Sequence, residues 1–276
     1  MKKYFLILII FSFTLFLAAC GSESTSSEGN SSESGVRTID VAVPPAAKPL
    51  SYTDENGELT GYEVEILKRV DERLEDYKFE LVGVGDSAAE LGLDTGKYDM
   101  IAQGLFKTDE REEKYLIPSE SNGSSLMKIY LNEASKEVNS LEDLVGKSIL
   151  PPNPTGGVFN LLVQYNEENP ENQLEFKPSD QGLSVAARLK EVESGKYDAL
   201  VLPSNLGQAE IIEKENLNIY TSDPVEINKT YFLIHNAEEN KQLSEEISTV
   251  LKDLKDEGVL SELSLEYYGE DVFQYE

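Results

Sequence analysis

Thr95-Gly96-Lys97-Tyr98-Asp99-Met100-Ile101-Ala102 returns later in the chain as Ser194-Gly195-Lys196-Tyr197-Asp198-Ala199-Leu200-Val201. Each copy reads as a joint where a helix stops at a glycine and a strand begins, since glycine enters the left-handed conformation that ends helices without a steric penalty. Coincidence of a common helix-to-strand joint is the plainer account. Yet each copy closes its own strand–helix series, which argues for two similar α/β units rather than one long sheet.

Around the first copy, Val36 to Val43 alternates as a strand and is stopped by Pro44-Pro45. Asp54-Glu55-Asn56-Gly57 is a turn, and Val64, Leu67, Val70 and Leu74 form one helical face. Phe79 to Val84 reads as a strand, Ser87 to Leu93 as a helix and Tyr98 to Ala102 as a strand. Around the second copy, Ser148 to Leu150 and Leu174 to Lys177 read as strands, Gly157 to Tyr165 and Leu183 to Val192 as helices. Tyr231 to Ile234, followed by helices within Asn240 to Lys255 and Val259 to Tyr268, breaks that alternation. A chain that leaves one lobe, builds a second and returns accounts for the break. The expected architecture is therefore a two-lobed α/β fold, hinged at two crossings, with a ligand cleft between the lobes. Lobe one takes residues 36–124 and 229–276, lobe two residues 125–228.

The start of the chain is set apart from this. Lys2 and Lys3 precede a nearly all-apolar run from Tyr4 to Leu17, and Leu17-Ala18-Ala19-Cys20 follows. The run is a secretory signal rather than a spanning helix, which needs about 20 apolar residues. Small residues before a cysteine look like a bacterial lipobox, so 1–19 is expected to be cleaved and Cys20 lipidated; an ordinary signal with a chance cysteine is the alternative. Gly21 to Gly35 holds no apolar residue and reads as a flexible tether, 20–35 with its cysteine. Cys20 is the one cysteine, which excludes an internal disulfide, a cysteine-rich metal site and a cysteine nucleophile. A formal net charge of −28 argues against nucleic acid and anionic lipid as partners, and solubility at a crowded surface explains it. The expectation is a monomer without cofactor or metal, anchored on the extracytoplasmic face of the cell membrane. The polar tether suits a Gram-positive surface.

Gln103-Gly104-Leu105-Phe106-Lys107-Thr108-Asp109-Glu110-Arg111 carries the most chemistry. It follows a strand, in the position where open α/β sheets bind ligands, with Thr108 as the N-cap of the next helix. Asp109 and Glu110 suit the positive end of a helix, whereas Arg111 does not, at a surface cost of about 0.3–1 kcal/mol. A bound carboxylate would reverse that mismatch; pairing of Arg111 with Asp109 or a neighbouring glutamate would also answer it. Asn153-Pro154-Thr155-Gly156-Gly157 opens a helix and is either a plain turn or a ligand loop offering free N–H groups and the Thr155 hydroxyl. Glu63 and Glu65 resemble a carboxylate pair but point to different sides of a helix start, where they offset its dipole. His235, the single histidine, has no Ser or Cys partner motif and reads as structural, so no catalytic residue is expected.

From about Val36 onward the chain resembles the family 3 bacterial extracellular solute-binding proteins, the polar amino-acid receptors of ABC importers. The resemblance rests on Gly61-Tyr62-Glu63-Val64-Glu65-Ile66 with Val70 and Leu74, Gly96-Lys97-Tyr98-Asp99, Thr108 with Arg111, Asp143-Leu144 with Gly146-Lys147, Tyr197-Asp198-Ala199 and Tyr267-Tyr268-Gly269-Glu270-Asp271, in family order. Ala102-Gln103, Lys107-Thr108, Glu110 to Leu116, Tyr165-Asn166 and the stretch to Pro203 look most like cystine receptors. The resemblance implies an amino-acid-like ligand, an importer permease as partner, and Arg111 as the clamp on the ligand's α-carboxylate. It implies a pocket from Thr108, Gln103, Gly104 and Phe106 on one side and Thr155, Gly156 and Pro203 on the other. The chain departs from the pattern at Asp71, Ala47, Leu50, Gln103, Phe106 and Ile117-Pro118, and Pro203 stands where many members hold the ligand's ammonium with Asp. Phe106 and Tyr52 are candidates for a replacement aromatic wall. A relative that catalyses, such as a dehydratase, and a surface sensor or adhesin with an altered pocket are the competing readings.

Overall fold

The structure, a computed structural model, describes residues 35–132, 137–154, 156–179 and 182–275. The signal-peptide and lipidation readings, Cys20 among them, and the expectation for Thr155 lie outside the described residues. Val36–Glu276 forms one unit, built in this order. Strands β1 (Arg37–Val43), β2 (Ala46–Ala47), β3 (Ser51–Thr53) and β4 (Leu59–Thr60) lead into helix α1 (Tyr62–Arg73). Then come β5 (Tyr77–Gly83), α2 (Asp86–Asp94), β6 (Met100–Phe106), α3 (Asp109–Lys114) and the long β7 (Gly123–Asn132). Helices α4 (Gly157–Glu168) and α5 (Val185–Glu193), β8 (Ala199–Pro203), α6 (Gln208–Glu215) and β9 (Ile219–Thr221) follow. The chain returns through β10 (Glu226–Ile234) and ends with α7 (Lys241–Asp256), α8 (Val259–Tyr268) and a short 3-10 turn, Val272–Tyr275.

The expectation of two separate sheets is corrected. One sheet in the order β5-β1-β6-β10-β7-β8, with β9 on β7, runs through the whole unit. Two long strands make this possible. β10 pairs with β7 over Glu226–Thr230 and with β6 over Thr230–Ile234. β7 pairs with β10 over Gly123–Met127 and with β8 over Met127–Leu131. The cores nevertheless separate, so the fold is two-lobed. Leu126 of β7 packs with Ile39, Leu67 and Leu251, whereas Ile129 and Leu131 pack with Leu144, Leu162 and Val201. The sequence-drawn limits at 124/125 and 228/229 fall inside these two crossing strands.

The repeated motif keeps its geometry in both lobes. Gly96 (φ 69°) and Gly195 (φ 75°) end α2 and α5 in the left-handed region. Asp99 accepts the Asp40 N–H at 3.1 Å, and Asp198 accepts the Ser148 N–H at 2.7 Å, so each aspartate ties its strand to the neighbouring chain. Asp71, a departure from the family pattern, accepts the Phe79 N–H at 2.7 Å and pairs with Lys78, pinning the start of β5 against α1. Two expected strands are not ladder strands. Ser148–Leu150 contributes only a parallel bridge from Ile149 to Ala199. Leu174–Lys177 is extended but unpaired: the Asn166 side chain takes both the N–H and the C=O of Leu174, at 2.7 and 3.0 Å. Its apolar alternation marks burial of Leu174 and packing of Phe176, not sheet pairing.

Candidate functional site

The first wall of the cleft is set by the start of α1. Gly61, its N-cap, lacks a capping side chain, and the Tyr62 and Glu63 N–H groups donate to the carbonyls of Pro49 and Leu50 at 3.0 and 3.1 Å. Free helix N–H groups thereby hold the loop between β2 and β3 in place. Glu63 points inward and is fully buried, which corrects its reading as a simple offset to the helix dipole. Its carboxylate accepts the Asn122 amide at 2.7 Å and the Gly104 N–H at 3.1 Å. Asn122 in turn accepts the Thr230 hydroxyl at 2.7 Å on its side chain and the Tyr62 hydroxyl at 2.7 Å on its carbonyl. One buried carboxylate therefore links, through Asn122, helix α1, the start of β7 and the middle of β10, and directly the later part of β6. Burial outweighs these two hydrogen bonds and pushes the Glu63 carboxyl up to about 7.

β6 runs out at Phe106, and Thr108 caps α3 as expected, accepting the Arg111 N–H at 3.2 Å. Arg111 curls back so that Nη1 donates to the Phe106 carbonyl at 2.8 Å. No ion pair to Asp109 or a neighbouring glutamate forms among the described residues.

Between the lobes lies a cavity of ≈ 350 Å3, within the range of small-ligand sites. Gly104 and Phe106 form its lobe-one wall, and Ser125 and Met127 of β7 its floor. Lobe two supplies Leu150–Asn153, the uncapped first turn of α4 (Gly156, Gly157, Val158), Arg188 of α5, the Leu200–Pro203 end of β8, and Asn205. Lys48 Nζ lies 3.1 Å from Glu210 Oε2 of α6, spanning from one lobe to the other. Among the described residues, no aspartate or glutamate lines the cavity.

Four sequence-predicted residues, Gly104, Phe106, Gly156 and Pro203, thus come together. Arg111 and Thr108 line a neighbouring hollow of ≈ 360 Å3 with Glu90, Glu110, Lys114, Tyr115 and Leu233. Phe106 connects the two, with its carbonyl on Arg111 and its residue in the interlobe cavity. Gln103 lines neither, although its amide nitrogen is buried without a hydrogen-bond partner among the described residues. Tyr52 lines neither and sits under Lys48, 5.5 Å from ring centre to Nζ. His235 has the structural role expected of it, with Nδ1 2.7 Å from the Leu93 carbonyl.

Arg188 was missed by sequence reasoning. The signal was present: like Arg111 it follows a hydroxyl N-cap, here Ser184, and places a cation in the first turns of a helix, against the dipole. Asn205 and Ser125 carried no comparable pattern, because their place in the wall follows from the crossing of β7 and the turn after β8.

The sequence profile of the bacterial extracellular solute-binding proteins, family 3, matches residues 39–270. The L-cystine-binding protein TcyK of Bacillus subtilis is 30% identical over 268 residues, covering 95% of this chain and 94% of that protein. Among solved structures, the probable amino-acid ABC transporter extracellular-binding protein ytmK of Bacillus subtilis superposes with a TM-score of 0.71 at 28% identity, covering 86% of this chain and 99% of the other. The unliganded open L-cystine solute receptor of Neisseria gonorrhoeae shares the fold, with a TM-score of 0.69 at 22% identity over 85% and 94% of the two chains.

Proposed function

This chain belongs to the bacterial extracellular solute-binding proteins, family 3, and from that premise we propose that it is the lipid-anchored receptor of an ABC importer for an amino-acid-like solute, cystine foremost. The family and the relatives are receptors rather than enzymes, so capture, not turnover, is the task.

The observation that carries the reading is the cavity between the lobes, walled by Gly104 and Phe106 on one side and by Gly156, Arg188 and Pro203 on the other. A solute there touches both lobes at once, so binding favours the arrangement that brings them together. Arg111 is the lobe-one anchor for an α-carboxylate. In support, it has no carboxylate partner among the described residues and holds the carbonyl of a residue in the cavity wall. The closed receptor presents both lobes to a permease on the extracytoplasmic side, tethered through Cys20 and acting as a monomer.

Cystine and a panel of polar amino acids added to the purified protein check this. A saturable rise in thermal midpoint is expected, about 2.7 kcal/mol of added stability at a ligand concentration a hundred times Kd. No shift with any of them would leave a surface sensor or adhesin as the better account.

A further inference from the structure

Three of the five arginines are ion-paired: Arg37 with Asp99 at 2.8 Å, Arg69 with Glu65 at 3.3 Å and Arg73 with Glu257 at 2.5 Å. Arg111 and Arg188 have no carboxylate partner among the described residues, in a chain with 52 acidic side chains against 24 basic ones. Of these two, Arg188 lines the interlobe cavity. It is half-buried, and among the described residues its one hydrogen bond runs from Nε to the Leu183 carbonyl at 3.2 Å. That bond fixes the guanidinium on the wall while leaving both terminal nitrogens without a partner among the described residues. The rest of the lobe-two wall is largely apolar, including Leu150, Val158, Leu202 and Pro203.

Resting on the proposed function, we infer that Arg188 is a specificity-determining residue, the lobe-two anchor for an acidic group. The cleft thus selects a solute with a carboxylate at its lobe-two end and an apolar body, and asks for no ammonium there. A guanidinium facing an apolar cavity loses hydration as the lobes close, and a carboxylate restores its partners through two parallel charge-assisted hydrogen bonds. An ammonium in the same place meets the opposite treatment. Among the described residues no carboxylate lines the wall, proline stands at the end of β8, and the fixed charge of Arg188 repels it. With Arg111 serving lobe one, the two arginines without acidic partners address the two ends of an elongated diacid.

Three disulfides of one shape separate the charges: cystine carries carboxylates and ammonium groups, 3,3′-dithiodipropionate only carboxylates, cystamine only ammonium groups. Titration calorimetry on the full protein is expected to place dithiodipropionate within about tenfold of cystine, with cystamine weaker by roughly 100-fold or more. Arg188→Gln is expected to weaken both acids by roughly 10–100-fold, and Arg188→Lys to recover part of the loss. Thermal midpoints of the ligand-free variants within a few degrees of wild type establish that the loss is not unfolding. Cystamine binding as tightly as cystine, or an unchanged dithiodipropionate affinity in Arg188→Gln, overturns the inference while the importer reading stands. Should another amino acid bind in place of the disulfides, the same substitution decides: a loss sustains the role of Arg188 and no change ends it. Failure of every solute to bind wild type removes both.

Discussion

Glu63 concentrates more consequence than any other single side chain in lobe one. Its folded-state carboxyl holds a proton up to about pH 7, while an unfolded glutamate releases it near 4.5. Between those values the folded state binds more protons, so the contribution is complete below about pH 4.5 and is lost as pH rises through 7. The buried Tyr268 phenol is held well above its ordinary value by burial, then by Tyr62 and Glu63, so it does not titrate in this window. Urea melts at a series of pH values are expected to show wild type losing roughly 3 kcal/mol relative to Glu63→Gln between pH 4.5 and 8. Carboxylates held low by partners, such as Asp198 bonded to Ser148, act in the opposite sense at acid pH and cancel in the difference. A flat difference would mean that Glu63 is ionised in the folded protein. Sequence singled out this residue by its signature motif but misassigned its role, because inward or outward aim depends on what covers the helix start.

At the scale of elements, the start of α1 shows how closely backbone and loop are fitted. Gly61 has φ 119°, and a Cβ there would lie 2.6 Å from the Leu50 carbonyl oxygen. Gly61→Ala is expected to cost about 1–3 kcal/mol from the backbone conformation alone, with the overlap adding to it, as read by chemical denaturation. Because the loop at Pro49 and Leu50 is held by these helix N–H groups, the variant should also loosen the Lys48–Glu210 contact between the lobes. A variant as stable as wild type would refute the fit. Helix α1 itself was legible, since Val64, Leu67 and Val70 are buried as their spacing demands. Leu174–Lys177 was not, because the alternation that marks a strand marks equally an extended segment pinned by Asn166.

For the molecule as a whole, the carboxyl-terminal segment ties the two lobes together. Val272 belongs to the first core, and Glu270 just before it pairs with Lys128 on the lobe-two half of β7. Tyr275 donates its hydroxyl to the same Glu270 oxygen at 2.8 Å, and Lys128 is only 5% exposed. Removing Glu270 leaves a buried ammonium uncompensated. Glu270→Gln is therefore expected to destabilise the fold by roughly 3 kcal/mol in equilibrium unfolding, and a loss below about 0.5 kcal/mol would show the pair to be solvated. Pairing over so long a sequence separation cannot be read from either segment alone.

What the chain determined unaided were its local consequences: helix faces, the glycine stops at Gly96 and Gly195, the N-cap at Thr108 and the order of family motifs. These depend on neighbours a few residues away, and such spacing is written directly in a sequence. Only the tertiary structure decided that β7 and β10 carry one sheet through both lobes, that Glu63 turns inward, and that Arg188 rather than Arg111 lines the interlobe cavity. Each of these is settled by burial against residues distant in the chain, where the cost of an unpartnered charge or hydrogen bond depends on the environment that folding creates.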